Sequence, residues 1–222
     1  MEKLKKIALI ITSINKPNEA IKKYYSLSKK NKVNFIIIGD KKTPDYPSKY
    51  NFYNLKSQKN LNFSLNKSLP INSYSRKNIG FLIAMQKNSK IILETDDDNY
   101  PKNTFFHNLE LQKKIKLLSG PKWINIFKIF KKRNQDTIWP RGFPLDEINK
   151  FHIIKVSEKL ITSPIQQRLC DGNPDVDAIY RLTKKNKFHT FEKKNYAISN
   201  KSICPFNSQN TVWHEQCFPL MY

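Results

Sequence analysis

Three consecutive carboxylates, Asp96-Asp97-Asp98, follow the apolar run Ile91-Ile92-Leu93. Unpaired carboxylates are too costly to bury, so the triplet marks a surface or a site rather than core. On an extended segment, carboxylates two residues apart project to the same side, so Asp96 and Asp98 can address one hard cation. Mg²⁺ or Mn²⁺ held by one or two carboxylates, and completed by phosphate oxygens of a ligand, suits that donor set. Such a cation neutralises a diphosphate as it leaves, acting as Lewis acid and template. Asp-Asp-Asp-Asn is equally good turn chemistry, and the triplet by itself leaves both readings open.

The elements that would position this run are legible upstream. Residues 7–13 form a continuous apolar run ending in the hydroxyls Thr12 and Ser13, which suits a strand buried on both faces. Pro17 and Asn18 open a helical stretch over 19–30, with Ala20, Ile21, Tyr24, Tyr25 and Leu27 on its apolar side. Residues 33–38 read as a second buried strand stopped by Gly39-Asp40. Strand, helix and strand with short connections make a βαβ unit with a parallel crossover. Residues 45–69 read as a long irregular excursion. The spacing of Ile79, Leu82, Ile83 and Gln86 predicts a helix over 75–87, with Arg76, Lys77 and Asn78 at its start. A third strand over 91–93 then delivers the Asp run to a strand's carboxyl end, where open α/β sheets bind ligands. Residues 103–118 read as another helix and 123–130 as a strand, a helix being the alternative there. From Asn134 onward short Pro-, Gly- and Asp-rich motifs dominate, and the second half reads as loops laid over a sheet edge. The expected fold is α/β, a mostly parallel Rossmann-type sheet flanked by helices, as a single domain over 1–222.

Bulk composition narrows the classes. With 222 residues, 39% hydrophobic and 12% aromatic, the chain can bury a sizeable core, which excludes whole-chain disorder. The net charge of +22 raises nucleic acid as a partner, but Lys outnumbers Arg by 35 to 5 and is spread along the length. Base readers lean on Arg for bidentate contacts, so no specific nucleic-acid partner is expected. Attraction to anionic substrates and peripheral attraction to anionic membranes follow from the same charge. Cys170, Cys204 and Cys217 form neither a zinc spacing nor a disulfide framework, which suits a reducing compartment. Lys3, Lys5 and Lys6 before an apolar run superficially fit a secretory signal. The run is short, and no small-residue cleavage site precedes Asn15-Lys16-Pro17, so a buried strand fits better. With no stretch of about 18 apolar residues, the expectation is a soluble, cytoplasmic protein.

The segment Ile91-Ile92-Leu93-Glu94-Thr95-Asp96-Asp97-Asp98-Asn99-Tyr100-Pro101 resembles the core of the STELLO-type glycosyltransferases. The resemblance continues through Arg141-Gly142-Phe143-Pro144-Leu145, through the stretch from Asp171-Gly172-Asn173-Pro174-Asp175 to Leu182, and through Cys204-Pro205-Phe206-Asn207 to Thr211. That family is in turn distantly similar to the reversibly glycosylated, UDP-arabinose mutase-like proteins. What it implies is a GT-A-like fold, with a nucleotide-sugar-binding half over 1–101 and an acceptor-side half over 102–222. By the same resemblance Thr12 and Ser13 lie beside the nucleotide and Asp40 near the base or ribose. Arg76 and Asn78 face the nucleotide or its phosphates. Asp96, Asp97 and Asp98 share the ribose and metal contacts, with Mn²⁺ or Mg²⁺ on Asp96 and Asp98. Asp175 or Asp177 becomes the general base or acceptor-side carboxylate, and Arg141 stabilises the diphosphate through charge-assisted bonds.

Each residue also has an ordinary structural role open to it. Thr12, Ser13 and Asp40 suit turns, Arg76 and Asn78 suit a solvated first helical turn, and Asp175 and Asp177 suit caps around Pro174. Arg141 could bind backbone carbonyls; His214 could serve as a late metal ligand, though a lone His more often suits core or surface; and Trp139 and Trp213 suit packing more than sugar stacking. The partners implied are a nucleoside diphosphate sugar, UDP-sugars foremost, and a glycan acceptor. A mutase or self-glycosylating protein and a non-catalytic sugar-nucleotide-binding module are the alternatives. The apolar end Phe218-Pro219-Leu220-Met221-Tyr222 calls for cover by further sequence or by an oligomer partner.

Overall fold

The computed structural model describes residues 6–132, 137–184 and 189–221. Lys3, Lys5 and Tyr222, singled out above, lie outside the described residues. The chain divides into two compact units. The first comprises residues 1–109, 164–166 and 208–222, and the second comprises 110–163 and 167–207.

The first unit is built on a six-stranded sheet. Its elements in chain order are β1 (Ile7–Ser13), α1 (Glu19–Lys30), β2 (Asn34–Gly39), β3 (Asn51–Tyr53), α2 (Leu55–Lys59), α3 (Lys77–Gln86) and β4 (Ile91–Asp96). The chain later returns to this sheet as a short strand at Ile165–Gln167 and a last one at Asn210–His214. The spatial order begins β3-β2-β1-β4, all parallel, and the 210–214 strand then pairs antiparallel to β4. This is a mixed, mostly parallel sheet flanked by helices, a GT-A-like Rossmann-type fold.

The period-two geometry of β1 explains how both helices attach. Leu9 and Ile11 pack with Phe35, Ile37 and the α1 residues Ile21 and Tyr24. Ala8 and Ile10 pack with Ile36 and Ile38 and the α3 residues Ile79 and Ile83. Alternate side chains therefore bury on opposite faces, and each fully buried Ile or Leu contributes roughly 1.5–3 kcal/mol. Gly80 lets α3 approach closely, because a Cβ there would stand 2.5 Å from Ile10 Cγ2. α1 starts at Asn18, whose Oδ1 accepts from the Ile21 amide at 2.9 Å. Glu19 in the first turn and Lys29 and Lys30 in the last suit the helix dipole.

The expected βαβ unit and the helix over 75–87 form, the latter as a 3₁₀ turn, Tyr74–Arg76, running into α3. The strand carrying the Asp run extends three residues further than the apolar pattern, through Glu94, Thr95 and Asp96. The excursion over 45–69 is less irregular than expected, since it holds β3 and α2.

The second unit corrects two expectations. The 103–118 stretch is not a helix: turns cover its start, and Gln112–Ser119 is a strand, β5. Its lysines carry no strong preference, and pairing along its whole length with β6 (Lys155–Thr162) decides the conformation. Residues 126–130 are helical as α4 (Ile126–Phe130), capped by Asn125, whose side chain accepts from the Lys128 amide. β5 also pairs in parallel with β8 (Tyr196–Ile198), giving a three-stranded sheet of order β6-β5-β8. Following this numbering, the strand at Ile165–Gln167 is β7, that at Asn210–His214 is β9, and Ala178–Thr183 is α5. A small core of Phe127, Phe130, Ile138, Val176, Tyr180 and Phe191 holds the unit. Among the described residues no helix is long and apolar enough to cross a membrane.

Candidate active site

β1 and β4 are adjacent and parallel, but the chain leaves β1 toward β2 and reaches β4 only after crossing back, so the strand order reverses between them. Ligands of open α/β sheets bind outside such a reversal, at the carboxyl ends of the strands. Register pairs Thr12 with Asp96 across it, so Ser13 and the Asp run emerge side by side.

The acidic residues here grade from buried to exposed. Glu94 is fully buried, Asp96 and Asp97 are half-buried, and Asp98 is exposed. Lys77, in the first turn of α3, is itself buried. Its Nζ lies 3.2 Å from Asp96 Oδ1 and 3.5 Å from Glu94 Oε2. Trp213 Nε1 donates to the other Glu94 oxygen at 2.8 Å. Burial pushes the carboxyls of Glu94 and Asp96 up, and Lys77 offsets only part of that rise. One buried ammonium thus serves two carboxylates, and the row keeps a net negative charge.

Asp97 is occupied in a different way. Ser13 Oγ donates to its Oδ2 at 2.5 Å, and Asn15 Nδ2 donates to the same oxygen at 3.0 Å. Asn18 Nδ2 donates to the Asp97 carbonyl at 2.7 Å. Asn18 therefore caps α1 and ties the start of that helix to the Asp turn at once. Ser13 and Asp97, both singled out from sequence, meet, and their contact is a latch between strand ends. The hydroxyl of Thr12 beside them is buried without a hydrogen-bond partner. Asp98 makes no hydrogen bond or ion pair among the described residues.

The other upstream residues hold loops. The Asp40 carboxylate accepts from the backbone amides of Lys41, Asn72 and Ser73 at 2.7, 2.9 and 3.0 Å. Burial raises its pKa, but these three donors outweigh burial and leave it below the ordinary value. Arg76, expected to face a nucleotide, is instead buried. Its Nε and Nη2 bond Gln58 Oε1 at 2.9 and 2.6 Å, and Nη1 reaches the carbonyls of Leu69 and Pro70. Gln58 passes the link on to the carbonyls of Gly39 and Tyr53. The cation directed at the carboxylates is the next residue, Lys77, named above only as part of the helix start and given no role in the site. Asn78 is half-buried. His214 is buried, and Trp213 both packs and donates to Glu94.

In the second unit, Arg141 Nη2 lies 2.8 Å from Asp175 Oδ1. Asn207 Nδ2 donates to Asp175 Oδ2 at 3.0 Å, and Gln167 Nε2 donates to Asn207 Oδ1 at 3.0 Å. The Arg141 amide also donates to the Asp175 carbonyl. Residues of two separate motifs, Arg141 and Asn207, thus converge on the carboxylate of a third. Asp177 instead caps α5, accepting from the amides of Ile179 and Tyr180 at 2.8 and 3.4 Å. Trp139 packs against Tyr180.

Fitness for a cation can be judged from the donors. Among the described residues no three His, Cys, Asp or Glu side chains converge on one point, so no closed protein cage exists there. Unengaged Asp98 and the Asp96 oxygen turned from Lys77 are hard oxygen donors. They suit Mg²⁺ or Mn²⁺, ions that use one or two carboxylates and take the rest of their shell from water or phosphate. An open concavity lined in part by Lys90, Glu215 and Phe218 lies at the start of β4, the wrong end of the strand for this chemistry.

No protein-family model matches the chain. Two Arabidopsis thaliana proteins do. Over 233 residues it is 27% identical to probable glycosyltransferase STELLO2, covering 94% of this chain and 30% of that protein. Over 230 residues it is 27% identical to probable glycosyltransferase STELLO1, covering 94% and 29%. The chain resembles the STELLO glycosyltransferases. It spans less than a third of their length. The similarity to the STELLO proteins takes in nearly all of both units, so the Asp run and the Arg141–Asp175 cluster both fall in a chain that is 94% covered.

Proposed function

We propose that this chain is a metal-dependent glycosyltransferase unit that takes a nucleoside diphosphate sugar, a UDP-sugar foremost, and passes the sugar to a glycan acceptor. The observation that carries this reading is a graded carboxylate row at the strand-order reversal, ending in an exposed and unengaged Asp98. The names of the two relatives support the reaction class.

In this reading Asp98 and Asp96 hold Mn²⁺ or Mg²⁺, which supplies charge neutralisation at the diphosphate. Lys77 fixes the direction of the Asp96 carboxylate and keeps part of its charge engaged. The Ser13–Asp97 latch and the Asn18 bond hold the strand ends in one arrangement, so donor binding does not have to order them. Asp40 holds the 72–73 backbone beside the end of β2, where the base or ribose would lie. On the acceptor side Asp175 is the better candidate for the base, because Asp177 is committed to its helix cap. Arg141, exposed beyond its bond to Asp175, is the cation that the second unit offers to an anionic ligand group.

Calorimetry with UDP in the presence and absence of Mn²⁺ tests the reading. Wild type binds UDP in a Mn²⁺-dependent way and Asp98→Ala does not. Wild-type protein that shows no metal-dependent nucleotide binding overturns the proposal.

A further inference from the structure

The second unit carries a second feature, unconnected with the carboxylates. β6 is the outer strand of its sheet, and from Lys155 through Leu160 every residue is exposed. Strands normally bury one face, so a strand bare on both sides stands without a layer packed on it. Four large apolar residues lie on or just before it. Phe151 is 85% exposed, Ile153 74%, Val156 56% and Leu160 65%. Single exposed apolar side chains need no explanation, but four within ten residues, Phe151 nearly bare, do.

The polar company of these residues decides what would cover them. The β5/β6 ribbon carries Lys113, Lys114, Lys116, Lys155 and Lys159 against one carboxylate, Glu158, which Lys114 already neutralises at 3.0 Å. Just upstream, Asp146 and Glu147 are held by Lys150, and Glu147 by His152 as well. A second copy of the chain would bring this cationic ribbon against itself, with lysines facing lysines. Four side chains also fall short of the ~800 Å² that each partner contributes to a stable interface. Exposed Phe and Ile among lysines with few free carboxylates suit an anionic bilayer surface, where rings sit at headgroup level and lysines gain from the surface potential. The unpaired backbone edge of β6 sets the depth. Its N–H and C=O groups cannot enter hydrocarbon unsatisfied, so the contact is shallow.

We propose that the ribbon of β5 and β6, with the preceding segment 151–153, docks the protein on anionic lipid membranes, Phe151 and Ile153 reaching the acyl boundary while the lysines engage lipid headgroups. The inference is independent of the donor-site reading. Sedimentation of the full chain with vesicles of phosphatidylcholine, with and without phosphatidylserine, tests it. The expected result is strong binding only with phosphatidylserine, reduced at least about tenfold by Phe151→Ser with Ile153→Ser. Phe151→Trp alone keeps binding at the wild-type level or above, because Trp favours the interface. Leu182→Ser, an equally exposed apolar position on α5, leaves binding unchanged and controls for general stickiness. Both serines are surface changes, and thermal melting within a degree or two of wild type verifies that the fold is kept. Equal binding by wild type and the double variant overturns the proposal, since the net charge alone would then explain attachment. So does a dimer in light scattering that the same substitutions dissociate, since the surface would then belong to a second copy.

Discussion

Both units hold carboxylates that sequence marks as chemical, but they hold them by different physics. In the first, Glu94 and Asp96 share one buried ammonium, Lys77, and charge is fixed by exclusion of water. In the second, Asp175 is gripped through hydrogen bonds by an arginine that is 70% exposed and by Asn207. The first arrangement is costly to disturb and insensitive to salt; the second is adaptable and screened. Under the proposed function, the first arrangement suits a site that must keep one geometry for a cation, and the second suits a surface that meets varied acceptors.

The sharpest break of this contrast is Lys77→Met. It leaves Glu94 buried without its cation and is expected to destabilise the first unit by about 3–5 kcal/mol, read from denaturant unfolding followed at Trp213. A loss under about 1 kcal/mol would place Lys77 with the surface pairs and erase the distinction. Next comes pH. Glu94 is raised in the fold, so between its ordinary value and its raised one the folded state holds a proton that the unfolded chain has released. Stability therefore falls as pH rises through that window, by at most ~1.4 kcal/mol per pH unit for one proton. Asp40 is lowered and has the opposite sign: its contribution is full above its ordinary value and disappears as pH falls toward the lowered one. Asp96 is raised in the same way, so Glu94→Gln should make the upper limb of the unfolding midpoints shallower without removing it, and Asp40→Asn should do the same to the lower limb. Asp177→Ala removes the α5 cap and costs about 1 kcal/mol, with Trp139, packed on Tyr180, as the reporter. Smallest is Arg141→Ala, about 0–1 kcal/mol and fading as salt is added, checked by melts at low and high ionic strength.

The sequence was most readable where burial leaves no choice. β1, α1, β2 and α3 follow directly from apolar runs because their side chains fill two cores. It was least readable where burial is weak. In Gln112–Ser119 lysines alternate with half-buried Ile115 and Leu117, a pattern that neither period enforces, and only pairing with 155–162 decides it. α4 carried its signal in Asn125 as a cap, and the aromatic run after it disguised the helix. In the site, Asp96, Asp98 and Ser13 were visible from type and position. Lys77 was not, because in a chain with 35 lysines another lysine attracts no notice, whereas the rarer Arg76 beside it did. What separates the two is which side of the first helical turn each occupies. That depends on the 3₁₀ turn at Tyr74–Arg76, for which no periodicity speaks.

The antiparallel strand beside β4 has a consequence for the order in which the protein is made. The first unit's chain departs after residue 109 and comes back for good only at 208, with 110–163 and 167–207 folded as an insertion between. As the chain emerges during synthesis, β1 to β4 can assemble early, yet β4 keeps one open edge for more than a hundred residues. Over that interval Glu94 has its lysine but lacks Trp213, and the carboxylate row stands at the margin of an unfinished sheet. Arrival of Asn210–His214 closes the edge and supplies the last donor in a single step, so the carboxylate row is completed only when the return segment has been translated.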